Sequence, residues 1–459
     1  MKQIFHKLLV LALLGSTQVF SQTWSTVGSA GFSASSASYT SMAIDNSGTP
    51  YIAYSDVWNA DKATVMKYNG SSWVSVGSPG FSAGSVAFPC LALDGSGTPY
   101  VAYQDQSNSL KATVMKYNGS GWVNVGTAGF SAGQIFYTSL VINASGMPYL
   151  AYQDRSNTNN AATVMKYSSG SWTAVGNTSF TTGTADYPSL AFDGSDTPYL
   201  AFVDGSASSG ASLMKFNGTS WALVGTAGFS GYGAGGTSLA INSSGVPYVF
   251  FFDNNSMGTV MKYSGSTWAN VGDADFTGAL APPSSTMTSR LIALDGNGNP
   301  YVVYSDGGNS FKTTVKEYTG STWVTVGTAG FSAGKADYPC IAMSGNTPYV
   351  VYQDFGNSYK ASVMKYGLPS SVSVLTAADN KLNVYPNPNR GGSFKFSYTS
   401  TSAENIQILV TDIIGKVLRE FTAKTNTTMD ANLTLPEGIY FLSAITKEGR
   451  DNIKVVIER

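Results

Sequence analysis

The chain is poor in the residues that carry most protein chemistry. Its 459 residues include one histidine, His6, and two cysteines, and charged residues make up only 12%, against about 25% in ordinary soluble domains. His6 falls in an N-terminal segment with the pattern of a leader removed on export, which leaves the mature protein without an imidazole. That excludes His-based triads, His-rich zinc sites and histidine general bases. A formal net charge of −1 offers no basic field, so nucleic acid is not an expected partner. No apolar run approaches the roughly 20 residues that a membrane-spanning helix requires. Two cysteines without a histidine do not make a metal site, and no cofactor is implied. What is plentiful is glycine, at 50 residues, and aromatic side chains, at 13%.

Lys2 and Lys7 form a short positive start, Leu8 to Leu14 an apolar run, and Val19-Phe20-Ser21 a small-x-small cleavage signal. This pattern predicts a secretory signal peptide over residues 1–21.

An internal repeat dominates the chain from Trp24 onwards. Trp24, Trp73, Trp122, Trp172, Trp221, Trp268 and Trp323 each open W-x-x-V-G or a close variant of it, and Trp24 to Tyr366 spans 343 residues, or 49 per unit for seven units. Each unit continues with a G-F-S-A-G loop, then S-L-A-I-D, a D-x-S-G-x-P turn, P-Y-V-A-Y-x-D and A-T-V-M-K-Y. Read as strands and tight turns, a unit is four antiparallel strands, and helical periodicity is absent. The expected fold is all-β, a seven-bladed β-propeller over residues 22–367. The array opens with an isolated fourth strand and ends after a third one. Joining the two ends completes the seventh blade and removes the exposed sheet edges. Scarce charge and abundant glycine then share one cause, since blades covered on both faces need apolar strands and tight turns.

The repeated positions read as structure. The seven tryptophans, with Phe32, Phe81, Phe130, Phe180, Phe229, Phe276 and Phe331, fill the gaps between blades. An aspartate ends each second strand (Asp56, Asp105, Asp154, Asp204, Asp253, Asp306 and Asp354) and is expected to cap the turn or pair with a nearby lysine. The lysine of V-M-K-Y is a snorkelling tip. Cys90 and Cys340 occupy the same position in two units that are not adjacent, which favours free buried thiols over a disulfide.

Variation concentrates in the turns joining strands two and three and in the stretches joining blades, which open on one face. The first kind carries Trp58, Leu110, Phe311, Phe355 and Tyr359, and the second adds Phe136 and Tyr232. Aromatic rings beside Asn, Ser and Gln suit a neutral polar ligand. These seven residues are the candidate ligand-binding set, for a glycan or a surface protein. Catalysis is less well supported, and no residue is assigned to it. A glycosidase needs two carboxylates at a defined separation, and the repeat region has one glutamate, Glu317. The alternatives are a polysaccharide-degrading enzyme using the aspartates Asp186, Asp273, Asp275 and Asp337, or a purely structural surface component.

After Gly367 the repeat stops. Residues 368–380 read as a linker, and charge density then roughly doubles, with alternating segments that predict a small Ig-like β-sandwich over 381–459. The runs L-N-V-Y-P-N-P-N-R-G-G (from Leu382), I-L-V-T-D-I-I-G-K-V-L (from Ile408) and L-P-E-G-I-Y-F-L (from Leu435) resemble the type A C-terminal sorting domain of the type IX secretion system of Bacteroidota. The motif positions are Tyr385, Pro386, Asn387, Pro388, Asp412, Gly415, Lys416, Gly438, Ile439 and Tyr440. The resemblance implies export through the periplasm by the type IX machinery, followed by release or attachment at the outer-membrane surface. The motif residues are turn and strand formers, a folded address and not a reactive site.

Overall fold

The computed structural model describes residues 22–231, 233–278, 290–367, 381–412, 416–446 and 450–458, in two compact units that divide at residue 369. The expected signal peptide, the linker, Tyr232 and Gly415 lie outside the described residues.

In the first unit β1 (Thr23–Thr26) precedes a complete blade of β2 (Ala37–Ile44), β3 (Pro50–Asp56), β4 (Lys62–Tyr68) and β5 (Trp73–Ser75), paired in that order from the inside outwards. Five more four-stranded sheets repeat it over residues 86–124, 135–174, 185–223, 237–270 and 292–325. The seventh takes Ala336–Ser344, Thr347–Asp354 and Lys360–Gly367 from the end of the array and β1 from its start, with Trp24 opposite Tyr366. The ring closes as the repeat predicts. Second strands are sandwiched on both faces, and Pro50–Asp56 is buried at every position, so the usual inside-outside alternation is missing.

Each blade is fastened to the next by one indole. Trp73 Nε1 donates to the Val27 carbonyl and Trp122 to that of Val76, both at 2.7 Å. The bond recurs from Trp172 to Val125, Trp221 to Val175, Trp268 to Val224, Trp323 to Val271 and Trp24 to Val326. Each indole also stacks on the phenylalanine of the G-F loop, as Phe229 does on Trp268 at 3.7 Å and 8°. The glycine after the valine makes room. Gly77 has φ of +73°, and a Cβ there would lie 3.0 Å from both Trp122 and Tyr117.

A second ring of bonds circles the channel. Leu91 N–H donates to Ser41 Oγ, Leu140 N–H to Cys90 Sγ, Leu190 N–H to Ser139 Oγ and Leu239 N–H to Ser189 Oγ, at 3.0 to 3.3 Å. Leu291 N–H reaches Ser238 Oγ at 2.9 Å, and Ile341 N–H reaches the Arg290 carbonyl at 3.0 Å. The Met42 backbone bonds to Cys340 and closes the circle. Both cysteines are therefore thiols in a hydroxyl's place, free and buried.

The strand-ending aspartates are caps. Asp354, 1% exposed, accepts from Gly356 N–H at 3.0 Å, Asn357 Nδ2 at 2.7 Å and Ser362 Oγ at 2.8 Å. Asp56, Asp105 and Asp306 repeat the arrangement with a threonine in the serine's place. Three lysines of V-M-K-Y, Lys67, Lys116 and Lys215, lie over the tyrosine of the second strand, Lys215 at 4.9 Å from the Tyr199 ring centre.

The second unit is a sandwich of a three-stranded sheet (Leu382–Tyr385, Ser393–Tyr398, Thr428–Asn432) and a five-stranded one (Asn389–Arg390, Arg450–Glu458, Gly438–Ile445, Asn405–Thr411, Val417–Lys424). Phe394, Phe396, Ile408, Leu442 and Val455 pack between them.

Candidate functional site

The register of the blades sets which loops share a face. Ala37 pairs with Asp56, so each inner strand starts where the second strand ends. The strand two to three turns, the stretches joining blades and the mouth of the channel therefore lie at one end.

On this face the turn chemistry decides which aromatic side chains reach solvent. Asp56 takes Trp58 N–H at 3.2 Å and turns the indole outwards, 74% exposed. Tyr359 and Phe311 are also exposed, at 48% and 37%. Both sit in the left-handed region that ends the turn, at φ of 64° and 58°. The other candidates are placed differently. Phe355 is half-buried against Tyr359 at 4.3 Å, with the Lys335 ammonium 4.5 Å from its ring centre. Leu110 is half-buried and anchors its loop, its N–H bonded to the Asp105 carbonyl and its carbonyl accepting from Ile135 N–H. Phe136, expected in a joining stretch, belongs to the inner strand Ile135–Ile142 and lies under Arg155 at 4.1 Å. Extending the strand by that residue pairs Phe136 with Gln153.

The channel mouth holds a feature that strand reading passes over. Tyr39, Phe88, Tyr137, Tyr187 and Tyr338 occupy one equivalent position in five blades, each with a left-handed backbone at φ of 50° to 54°. Each marks a bulge, as between Ser38 and Ser41. Their half-buried rings form an arc, with Tyr338 to Tyr39 4.7 Å apart, Tyr39 to Phe88 5.2 Å, Phe88 to Tyr137 5.2 Å and Tyr137 to Tyr187 4.3 Å. Blade five has Gly236 at this place. The equivalent of blade six, Ser289, lies outside the described residues. An alignment of the seven units exposes the signal: an aromatic residue three before the buried Leu, Met or Ile, in five copies of seven. Burial pushes the Tyr137 hydroxyl well above the usual phenol range, and Tyr338 to about 12, so both remain neutral donors.

Polar groups frame the arc. Gln153 Nε2 donates to Asp186, and Arg155 Nε to Gln153 Oε1 at 3.2 Å. Burial raises the Asp186 carboxyl above its ordinary range, against the opposing pull of Gln153 and Arg155. Asp337 pairs with Lys335 at 3.2 Å. Asp275 accepts from Thr259 Oγ1 at 3.3 Å, and Asp273 is exposed. Asp337 is thus committed to a cation, whereas Asp186 reaches Arg155 only through Gln153.

In the second unit the motif residues are mostly structural. Asn387 acts as a strand residue through its side chain: Nδ2 donates to the Lys454 carbonyl and Oδ1 accepts from Val456 N–H. The peptide bonds before Pro386 and Pro388 are cis. Asp412 Oδ1 accepts from Lys416 N–H at 2.9 Å, and Tyr440 Oη donates to the Pro436 carbonyl at 2.9 Å. Gly438 opens the strand that carries Ile439 and Tyr440. Tyr385 and Ile439 are exposed.

Residues 383–458 match the family described as the secretion system C-terminal sorting domain. The second unit is that sorting domain, and it marks the chain for export, either secreted or attached at the outer-membrane surface. No helix among the described residues is long and apolar enough to cross a membrane. No curated protein matches the chain. Among solved structures, an Aleuria aurantia lectin mutant in complex with Fucα1-6GlcNAc aligns at 17% identity over 67% of this chain and 100% of its own, with a TM-score of 0.43. The SapL1 lectin in complex with α-methyl fucoside aligns at 16% over 66% and 99%, with a TM-score of 0.45. The polysaccharide lyase Uly1 aligns at 11% over 73% and 90%, with a TM-score of 0.47. Likeness at this level carries no argument about ligand or reaction.

Proposed function

We propose that the propeller, exported by its sorting tail, is a non-catalytic binding module whose loop face takes a glycan. The observation that carries this reading is the arc of five aromatic rings at the channel mouth. A left-handed backbone costs an L-residue roughly 1–2 kcal/mol, and glycine would adopt it without that cost. Five blades nevertheless present tyrosine or phenylalanine there, and strain of this kind gathers at binding sites. Half-buried rings, four of the five with a phenol hydroxyl, beside glutamine side chains and few free charges, suit the apolar faces and hydroxyls of a sugar. Trp58, Phe311 and Tyr359 extend the aromatic surface outwards. Phe136 adjoins the arc at Phe88 and Tyr137, Phe355 packs against Tyr359, and Leu110 and Tyr232 belong to the same set by their place in sequence. Adhesion of the cell to a polymer or surface is the role such a module serves after export.

The test is a glycan array probed with the mature chain, with release of reducing sugar measured on each hit. Binding without release is the expected outcome. Absence of binding to any glycan overturns the reading, and sugar release replaces it with the enzyme.

A further inference from the structure

Among the described residues, one cation in the channel has no acid beside it. Arg290 reaches inwards from blade six, and its guanidinium crosses to two other blades: Nη1 donates to the Met42 carbonyl of blade one at 3.1 Å and Nη2 to the Leu140 carbonyl of blade three at 3.0 Å. Carbonyl oxygens orient a guanidinium but leave its charge uncompensated. A cavity of about 40 Å³ adjoins it, bounded also by Ser41, Cys90, Thr138 and Cys340 and roofed by rings of the aromatic arc.

Charge accounting around this cavity is one-sided. No acidic residue among those described lines it. Of the two carboxylates near the mouth, Asp337 is paired with Lys335, and Asp186 accepts from Gln153, which itself accepts from Arg155; neither lines the cavity. The stretch preceding Arg290, residues 279–289, contains no Asp or Glu. Nor does Cys340 supply an anion, since burial, opposed by the Arg290 charge, pushes its thiol up to about 11. A half-buried charge without a partner is costly, and an anion beside it would offset that cost. Size limits the choice. One water needs roughly 10–15 Å³ of such space, so this cavity holds a small ion with a water, or a carboxylate, and no sugar ring.

We propose that the channel cavity is a binding site for a compact monoanion, a halide or a carboxylate group, held by the Arg290 guanidinium with the Ser41 hydroxyl as a second donor. The site is independent of the glycan reading, because it lies below the arc and takes a different class of ligand. Arg290 then has two roles: it braces blades one and three, and it presents a cation to whatever fills the channel.

Crystals of the mature chain grown in sodium bromide test this directly. The expected result is a bromide anomalous peak within hydrogen-bond distance of the Arg290 guanidinium. Crystals carrying bromide at the surface but none in the channel overturn the proposal. Adding sodium glucuronate, with glucose as the neutral control, distinguishes the sources. Loss of the channel peak with glucuronate alone assigns the site to a carboxylate carried by a larger ligand, and persistence assigns it to the free ion. In solution, the melting temperature is expected to rise saturably with bromide at constant ionic strength, and Arg290→Lys to weaken that response at least tenfold. Since the lysine keeps the charge but not both carbonyl bonds, an unchanged bromide response in that variant also counts against the assignment to the guanidinium.

Discussion

The indole of Trp24 donates to the carbonyl of Val326 at 2.7 Å, across 302 residues of chain. It is the same bond that every other blade makes to its neighbour about 50 residues away. Here it joins the first strand of the array to the last complete blade, and the Trp24 ring also stacks on Phe331 at 3.9 Å. Beside the backbone pairing of β1 with Lys360–Gly367, ring closure thus gains one side chain that does two separable things.

Trp24→Ala removes both the bond and the stack, and truncating a large packed aromatic costs about 3–5 kcal/mol. Trp24→Phe keeps a ring and loses one hydrogen bond, for about 1 kcal/mol. Urea unfolding of the two variants measures the difference. Equal losses would show that the bond, and not the ring, secures the closure.

Cys90 and Cys340 are expected to be unreactive in the native protein and reduced. A thiol reagent at pH 8 should titrate no thiol in buffer and two in denaturant. Fast labelling of either one before unfolding would contradict the placement of both in the inner ring of bonds.

Asp186 has a folded-state pKa raised by burial. Its ionised form is disfavoured in the folded chain, so its contribution to stability is greatest below the unfolded value and falls as pH rises through the folded one. Asp186→Asn still accepts from Gln153 and carries no charge to desolvate. The variant should be at least as stable as the parent at pH 7, and its stability should vary less as pH rises from below the ordinary carboxylate range to neutrality. Asp94 has the opposite sign: partial burial pushes its carboxyl up, but bonds from Ser96 and Thr98 outweigh that and hold it low. Its contribution is present above the unfolded value and is lost as pH falls through the folded one, so Asp94→Asn should reduce the loss of stability in acid. Thermal melts across pH 2 to 8 check both signs.

For the binding face, Trp58→Ala and Tyr359→Ala should each weaken glycan binding about 2- to 10-fold, the effect of one aromatic contact worth roughly 0.5–1.5 kcal/mol. Both side chains are exposed, so the free energy of unfolding should stay within about 0.5 kcal/mol of the parent. Titration calorimetry against any array hit, with a melt of each variant, separates binding from folding.

In the tail, Asn387→Ala removes two bonds to the last strand and should cost the sorting domain about 1–3 kcal/mol. Limited proteolysis of the purified chain reads this as earlier cleavage after residue 380. The exported fraction in the native host should fall with it. Normal export with a destabilised tail would show that the address is read without its fold.

The propeller was legible because its seven units align within one chain, and the period, the strand pattern and the split seventh blade need only that alignment. The sorting domain was legible from three ordered motifs. The proposed binding face was not. Trp58, Phe311 and Tyr359 reach solvent as expected, whereas Phe136 joins an inner strand because pairing with Gln153 extends the ladder by that residue. The aromatic arc went unread because Tyr39 and its equivalents look like ordinary strand residues. Their outward consequence comes from a bulge, which depends on how two strands register.

By itself, then, the sequence determined the number of blades, the closure of the ring, the capping aspartates and the address for export, because each is a local pattern or a repeated one. Tertiary structure decided what the channel is. Five residues about 50 apart become one aromatic surface, two cysteines become members of a hydrogen-bonded ring, and Arg290 becomes a cation with no described acid beside it. Rotation about a common axis brings together positions that no local pattern connects, and a charge can be called unmatched only when the groups around it are in view.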